Sequence, residues 1–223
     1  MTQVYVMMQG DRTPTLLTAD CERSVQPDWS PNDDQIAFGG TCARADGIYY
    51  YKIRTKQVVQ LTTEGQYPRW SPDGASIFYS VPQTTGYDDA APMTVYQLAV
   101  TPADNGLGLP IFLFNRFMER DVFAYNGATD QLIYSARNPS SVYSEQIYAK
   151  SLSLTSVSEL LMSRPASYSQ LAWLPGTGRI AFLAQYNAEQ KRGLYSVNDD
   201  GEDLQRHLNA VDIAAFDWYS AAE

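Results

Sequence analysis

The sequence has one histidine, two cysteines and only 18% charged residues in 223. A lone histidine, His207, supplies no zinc ligand set, so a metal role for it is not expected. It leaves no His-dependent triad unless His207 itself serves, and no G-x-S-x-G elbow is present. No G-x-x-x-x-G-K-(S/T) loop is there to cradle phosphates. Sixteen Lys+Arg against 25 Asp+Glu, a net charge of -9, argue against nucleic acid or an anionic membrane surface as the main partner. No apolar run approaches the ~18 residues of a membrane span. The opening M-T-Q-V-Y-V-M-M-Q-G lacks the basic region and long apolar stretch of a signal peptide. What remains, at 44% hydrophobic and 13% aromatic, is a chain able to bury one substantial core.

What is present repeats. P-D-W-S-P-N-D-D-Q-I-A-F ends at Phe38, and P-R-W-S-P-D-G-A-S-I-F-Y ends at Tyr79. L-A-W-L-P-G-T-G-R-I-A-F carries Trp173 in the same place, and F-A-Y-N-G-A-T-D-Q-L-I-Y puts Tyr125 there. A last fragment, F-D-W-Y-S, holds Trp218. The intervals between these aromatic residues are 41, 55, 48 and 45 residues. A second series has the same period: Q-V-Y-V at Tyr5, G-I-Y-Y at Tyr49, T-V-Y-Q at Tyr96, Q-I-Y-A at Tyr148 and G-L-Y-S at Tyr195. After a polar hairpin each is followed by another apolar run, such as Q-V-V-Q-L-T.

Each unit therefore reads as four short strands, a to d. Strand a carries the Trp or Tyr. Pro with Gly, Asn or Asp in S-P-N-D-D, S-P-D-G and L-P-G-T-G sets a tight turn. Strand b follows as I-A-F, I-F-Y or L-I-Y, rich in residues that suit a pleated, packed surface. The best helical candidate, Ser156 to Met162, is short and sits where strand d belongs. Units of four strands and about 40–45 residues define a β-propeller. The expected fold is all-β, with about five antiparallel blades of four strands, four complete and one shared between the termini, standing alone or as part of a larger propeller. The units run over residues 1–20 (partial), 26–64, 67–115, 122–163, 170–209 and 214–223 (partial). The recurrent aromatic rings are read as filling the space between blades.

At Trp70-Ser71-Pro72-Asp73-Gly74, with Ile77 and Phe78, the sequence resembles the WD-repeat-like units of TolB-type β-propellers. The match is good at Trp29-Ser30-Pro31 with Ile36 to Phe38, partial at Trp173-Leu174-Pro175-Gly176, and nearly lost around Tyr125. The run from Tyr49 to Thr62 is also similar to that family. The resemblance implies a binding scaffold, a sensor domain or a domain that gates a peptidase, in a periplasmic or secreted bacterial setting. It specifies a fold and no chemistry.

The count of strands leaves one gap. Five a, four b, five c and five d strands can be assigned, so one blade lacks its b strand. Three explanations compete: a five-bladed ring with one blade incomplete, a fragment of a longer propeller, or a strand added by a partner. An open edge invites pairing.

Candidate site residues fall into four groups. Asp28 and Asp217 sit beside strand-a aromatics and could serve a five-bladed carbohydrate-active enzyme as channel acids. Arg69 next to Asp28 favours a structural ion pair instead. Cys21 and Cys42 are assigned to a d–a connector and a b–c loop on one face, where they form a disulfide or remain two thiols. On that face, Tyr67, Tyr87, Asp88, Asp89, Tyr143, Tyr168 and Tyr186, with Lys191, suit a recognition surface or fold back on the rim. Acidic turns at Asn32-Asp33-Asp34 and 198–203 read as turn chemistry, the second being the better calcium candidate.

These readings set the expectation of a non-catalytic binding or sensing scaffold without cofactor. It would recognise a protein partner or small ligand through its loop face, with no nucleic acid and no membrane insertion. The expected location is extracytoplasmic, as a segment without its own signal peptide. The alternatives are the carbohydrate-active enzyme and an assembly subunit whose incomplete blade a partner completes.

Overall fold

Aromatic and β-branched residues at two-residue spacing dominate the chain, and the regular elements follow that spacing. The computed structural model describes residues 2–7, 10–32, 34–82, 93–100, 110–116, 123–126, 129–137, 145–152, 158–174, 176–186 and 192–209. Among them the regular structure is antiparallel β without a helix. The chain divides into two units, Met1–Tyr87 with Ala91–Asn115, and Asp88–Ala90 with Arg116–Glu223.

In the first unit β1 (Tyr5–Val6) pairs with β2 (Thr15–Leu16). A four-stranded sheet follows in chain order: β3 (Cys21–Trp29), β4 (Gln35–Cys42), β5 (Ala45–Lys52) and β6 (Gln57–Gln60). A second has β7 (Gln66–Trp70), β8 (Ser76–Pro82), β9 (Met93–Ala99) and β10 (Ile111–Arg116). The other unit holds one seven-stranded sheet: β11 (Phe123–Asn126), β12 (Gln131–Arg137), β13 (Glu145–Ser151), β14 (Glu159–Leu174), β15 (Arg179–Tyr186), β16 (Gly193–Asn198) and β17 (Gln205–Asn209).

That seven-stranded sheet corrects one expected boundary. Residues 164–169 are no connector: β14 runs unbroken for 16 residues, serving as strand d of one unit and strand a of the next. Ala166 lies opposite Glu145 on one side and Tyr186 on the other, so the backbone stays extended because both its edges are paired there. The helical candidate gives way to strand from Glu159 onward.

The repeated motifs close turns. In W-S-P-D-G the Ser76 N–H donates to Ser71 Oγ at 2.9 Å, and Ser71 Oγ donates to Asp73 Oδ1 at 2.5 Å. Asp73 also accepts from the Ala75 N–H, and Gly74 takes the left-handed φ of +68 that the turn requires. The Ser71 hydrogen bond, followed by that from Ala75, holds the Asp73 carboxyl below the usual range. Ser30 repeats the device, accepting from the Gln35 N–H at 2.9 Å. The L-T signature closes the c–d hairpin: Ile48 N–H donates to Thr62 Oγ1, and Leu61 N–H to the Ile48 carbonyl. Val4, Leu17 and Thr18 make the same two bonds, which identifies β1–β2 as a c–d hairpin.

Among the described residues the strands bury their faces in clusters that include the following three. Val4, Cys21, Ile36, Phe38, Cys42, Tyr49 and Tyr51 form one; Ala37, Ile48, Tyr50, Leu61, Trp70, Ile77 and Tyr79 belong to the second. The third, in the other unit, includes Ile133, Ile147, Tyr168, Ile180, Phe182 and Tyr195. Alternation along β4 sends Ile36 and Phe38 to one face and Ala37 to the other. Trp70 is buried and Trp173 partly buried between layers, as expected of packing rings, whereas Trp29 is 42% exposed.

Cys21 and Cys42 are joined by a disulfide. They do not lie in a connector and a loop: β3 begins at Cys21 and β4 ends at Cys42, and the two stand directly opposite in the ladder. The bond lies beneath Val4, in the cluster that holds β1–β2 on the first four-stranded sheet. Reduction should lower unfolding stability by about 3 kcal/mol through the closed loop it releases. Urea unfolding with and without dithiothreitol, followed by far-UV circular dichroism, measures the difference.

Candidate functional site

The first strand of a four-stranded sheet has one edge without a ladder partner, so its N–H groups need other acceptors. On β7 two of these are met by side chains of β3. Tyr67 N–H donates to Gln26 Oε1 at 2.9 Å, and Trp70 N–H donates to Asp28 Oδ2 at 2.7 Å. Asp28 Oδ1 lies 3.7 Å from Arg69 Nη1, each side chain about 30% exposed or slightly less. An ionised carboxylate is the stronger acceptor for both neighbours. Asp28 thus bonds one sheet to the next.

A local distortion makes this reach possible. Gln26, Tyr67 and Gln170 have φ of 57, 56 and 51, and each stands three residues before the Trp of its strand. The ladder shifts register at each of the three places. Such a bulge adds a residue and re-aims its side chain. Left-handed backbone in a non-glycine residue costs roughly 1–2 kcal/mol, so the fold retains the strain at three equivalent points. Sequence reasoning missed Gln26 entirely, since no glycine or asparagine marks the position. Its interval of 41 residues to Tyr67, one period of the repeat, was the available clue.

The predicted recognition tyrosines separate into different environments. Tyr67 is half-buried at its bulge. Tyr168 is a correction: it is 1% exposed, packed edge-on against Phe182 with its hydroxyl donating to the Arg164 carbonyl at 2.5 Å. Its N–H is held by Glu145 Oε2 at 2.9 Å, and Glu145 is itself buried. Residence within β14 instead of a connector explains the burial. Tyr186 is half-buried and edge-on to Tyr195. Burial, then the neighbouring Tyr186, pushes the Tyr168 phenol strongly upward. Tyr87, Asp88, Asp89, Tyr143, Lys191 and Asp217 lie outside the described residues.

His207 is exposed on β17, with Nε2 2.7 Å from Ser196 Oγ. That hydroxyl also accepts from Arg179 Nε at 2.9 Å and is 1% exposed, so it offers no surface to a substrate. In the 198–203 turn, Arg179 Nη1 holds Asn198 Oδ1 at 2.6 Å and Asp203 Oδ2 at 2.8 Å. The Arg179 hydrogen bond lowers the Asp203 carboxyl. Asp200 caps the Glu202 N–H, and Asp34 accepts from Ser30. Among the described residues no group of three or more His, Cys, Asp or Glu is placed to hold a metal ion.

Sheets of this topology, with inner edges capped from the neighbouring sheet, define a β-propeller. The fold is TolB-like. The chain is similar to TolB from Acinetobacter baumannii, with 14% identity, TM-score 0.71 and coverage of 87% of this chain and 46% of that one. It is similar to putative TolB from Agrobacterium tumefaciens, at 14% identity, TM-score 0.70, and 88% and 70% coverage. It also matches an oligogalacturonate lyase solved with manganese, at 10% identity, TM-score 0.66, and 92% and 58% coverage. The chain therefore spans under half of the first of these and under two thirds of the third. No protein-family model matches the sequence, and no curated protein matches it either.

Two outcomes follow from the capping and the burial. Asp28→Ala should lower stability by about 1–3 kcal/mol, because it leaves the Trp70 N–H without its acceptor; Asp28→Asn, which keeps an acceptor oxygen, should cost less. Chemical denaturation of the three proteins compares them. Burial, with Tyr96 and Glu64 nearby, raises the Tyr79 phenol from 10.0 to about 12. The folded state then holds a proton that the unfolded chain has released, so stability should fall as pH rises from about 10 towards 12. Thermal melts across that range, with phenolate absorbance recorded in parallel, test the direction.

Proposed function

We propose that the chain is a non-catalytic binding or sensing scaffold in an extracytoplasmic compartment. On this reading it forms about five blades, four complete and one incomplete, and recognises a protein partner or small ligand through its loop-bearing face. The observation that carries the reading is the use of Asp28. The acid best placed by sequence for channel chemistry is spent on the Trp70 N–H and Arg69. A general acid must hold a proton and present it to the substrate, and both Asp28 oxygens face protein donors. The Cys21–Cys42 disulfide supports an oxidising compartment. The TolB likeness supports a scaffold role, since fold sets architecture and loops set partners.

Tyr67 and Tyr186 remain the described members of the proposed face, with Tyr87, Asp88, Asp89 and Tyr143 assigned to it from sequence. The test pairs binding with turnover. A periplasmic extract is passed over the immobilised chain and over a Tyr87→Ala/Tyr143→Ala variant, and acidic oligosaccharides are assayed separately for cleavage. Expected is one protein or ligand retained by the wild type and reduced at least about tenfold by the double variant, without cleavage. Cleavage that Asp28→Asn abolishes would sink the reading in favour of an enzyme of the kind represented by the oligogalacturonate lyase.

A further inference from the structure

Both cysteines of the chain are in the Cys21–Cys42 disulfide. Thiols break such a bond only by contact, because exchange begins when a thiolate attacks one of the sulfurs. Cys21 is 2% and Cys42 7% exposed, so the folded chain gives a thiolate no approach. The apolar cluster around them is drawn from β3 to β6 and the turn between β5 and β6, with two exceptions, Val4 and Leu17. Among the described residues, then, the β1–β2 hairpin supplies the cover that does not belong to the sheet itself.

That cover is tied down around Cys21. Gln3 Nε2 donates to the Cys21 carbonyl at 2.9 Å. The Cys21 N–H donates to the Thr18 carbonyl at 3.1 Å, and the Ser24 N–H to the Thr2 carbonyl at 2.9 Å. Thr18 is 0% exposed and has two roles: its carbonyl holds Cys21, and its hydroxyl accepts the Val4 N–H at 3.0 Å. Hairpin and disulfide therefore share one attachment point. The backbone beside the bond is irregular as well. The β3–β4 ladder shifts register between Cys21 and Arg23. Just past Cys42, Ala43 and Arg44 make the two-residue turn into β5 with φ of 50 and 65. Such turns favour Asn-Gly or Asp-Gly, because other residues are strained in left-handed backbone. The disulfide thus joins a shifted ladder on one side to a strained turn on the other.

We propose that the Cys21–Cys42 bond is a gated redox latch. A dithiol reductant reaches it only when the β1–β2 hairpin lifts from β3. Cleavage in turn releases the hairpin together with the first residues of β3 and the β4–β5 turn. One thiolate of the dithiol attacks a cysteine sulfur, the S–S bond breaks, and the other cysteine leaves as a thiolate. The second thiolate of the reductant then attacks the mixed disulfide and frees the first cysteine. Two electrons and two protons pass to the protein, and the dithiol ends as a disulfide.

The test uses the full chain, dithiothreitol as the dithiol and iodoacetamide to trap freed thiols, with intact mass counting the cysteines released. Without denaturant, reduction should run at least about a hundredfold slower than that of oxidised glutathione. Its rate should change little with urea below the unfolding transition, since lifting a hairpin exposes little surface. Thr18→Val removes the hydroxyl that holds Val4 and should speed reduction at least about fivefold. Hydrogen exchange of the wild type kept reduced should show protection falling at least about tenfold in residues 2–7 and 10–24, with residues 131–137 of β12 unchanged. That arm needs no variant, so it holds even if Thr18→Val perturbs folding. Reduction as fast as that of glutathione overturns the proposal, and so does a urea dependence equal to that of global unfolding. Unchanged protection of the hairpin after reduction, or no acceleration in folded Thr18→Val, overturns it too. None of these readouts involves the loop face, so the outcome is separate from that of the recognition reading.

Discussion

A sheet four strands wide leaves two faces and two backbone edges to be satisfied, and no sheet in this chain manages all of them alone. The faces need apolar cover worth about 25 cal/mol per Å² removed from water. The inner edge needs acceptors for N–H groups that the ladder does not reach. In the first unit both requirements are met from the neighbouring sheet: Trp70 and Ile77 cover Ala37 and Tyr50, while Gln26 and Asp28 cap β7. The polar residues of the inner strands are accordingly structural before they are anything else. This constraint sets the division of labour that follows. The strands supply the rigid stack, and recognition is left to segments the stack does not use.

The aromatic residues obey the same logic at two levels. Along each strand, alternate side chains go to opposite faces, so a single I-A-F segment serves two layers at once. Across strands, the b and c rings oppose each other in register and stack, adding about 0.5–1.5 kcal/mol per pair beyond the area they bury. The regular spacing of tyrosines in the sequence is the trace of those pairs. Their burial leaves several phenols, Tyr79 and Tyr168 among them, unable to ionise in the ordinary range.

Much of the fold could be read from sequence because turns are chemically demanding. The Ser-Pro-Asp-Gly turn needs a hydroxyl to accept an N–H five residues on and a residue tolerant of left-handed φ, and few residue types meet both needs. Wherever that chemistry occurs, at Ser30 and Ser71, the strand boundaries at the turn were placed well. Where it fades, the reading fails. The segment before Trp173 holds Pro165 and several serines and resembles a connector, yet tertiary pairing on both sides keeps it extended as β14. The bulges at Gln26, Tyr67 and Gln170 were invisible because backbone strain imposed by packing needs no special residue. For the same reason Tyr168 was placed at the surface: its burial comes from Glu145 and Phe182, far from it in sequence. The ion pair of Asp28 with Arg69 was legible, since adjacent positions one repeat apart were known to face one another.

The unbroken β14 bears on how the molecule loosens. Cooperative opening tends to follow continuous hydrogen-bonded stretches. In the first unit the two four-stranded sheets are separate ladders, joined by the short connector between β6 and β7 and by the bonds from Gln26 and Asp28 to β7. In the second unit a single strand is ladder partner to β13 along one half and to β15 along the other. Peeling it from either side disturbs a backbone shared by both. The chain thus combines two sheets tied to each other through side chains with one sheet tied together through the backbone of a single strand.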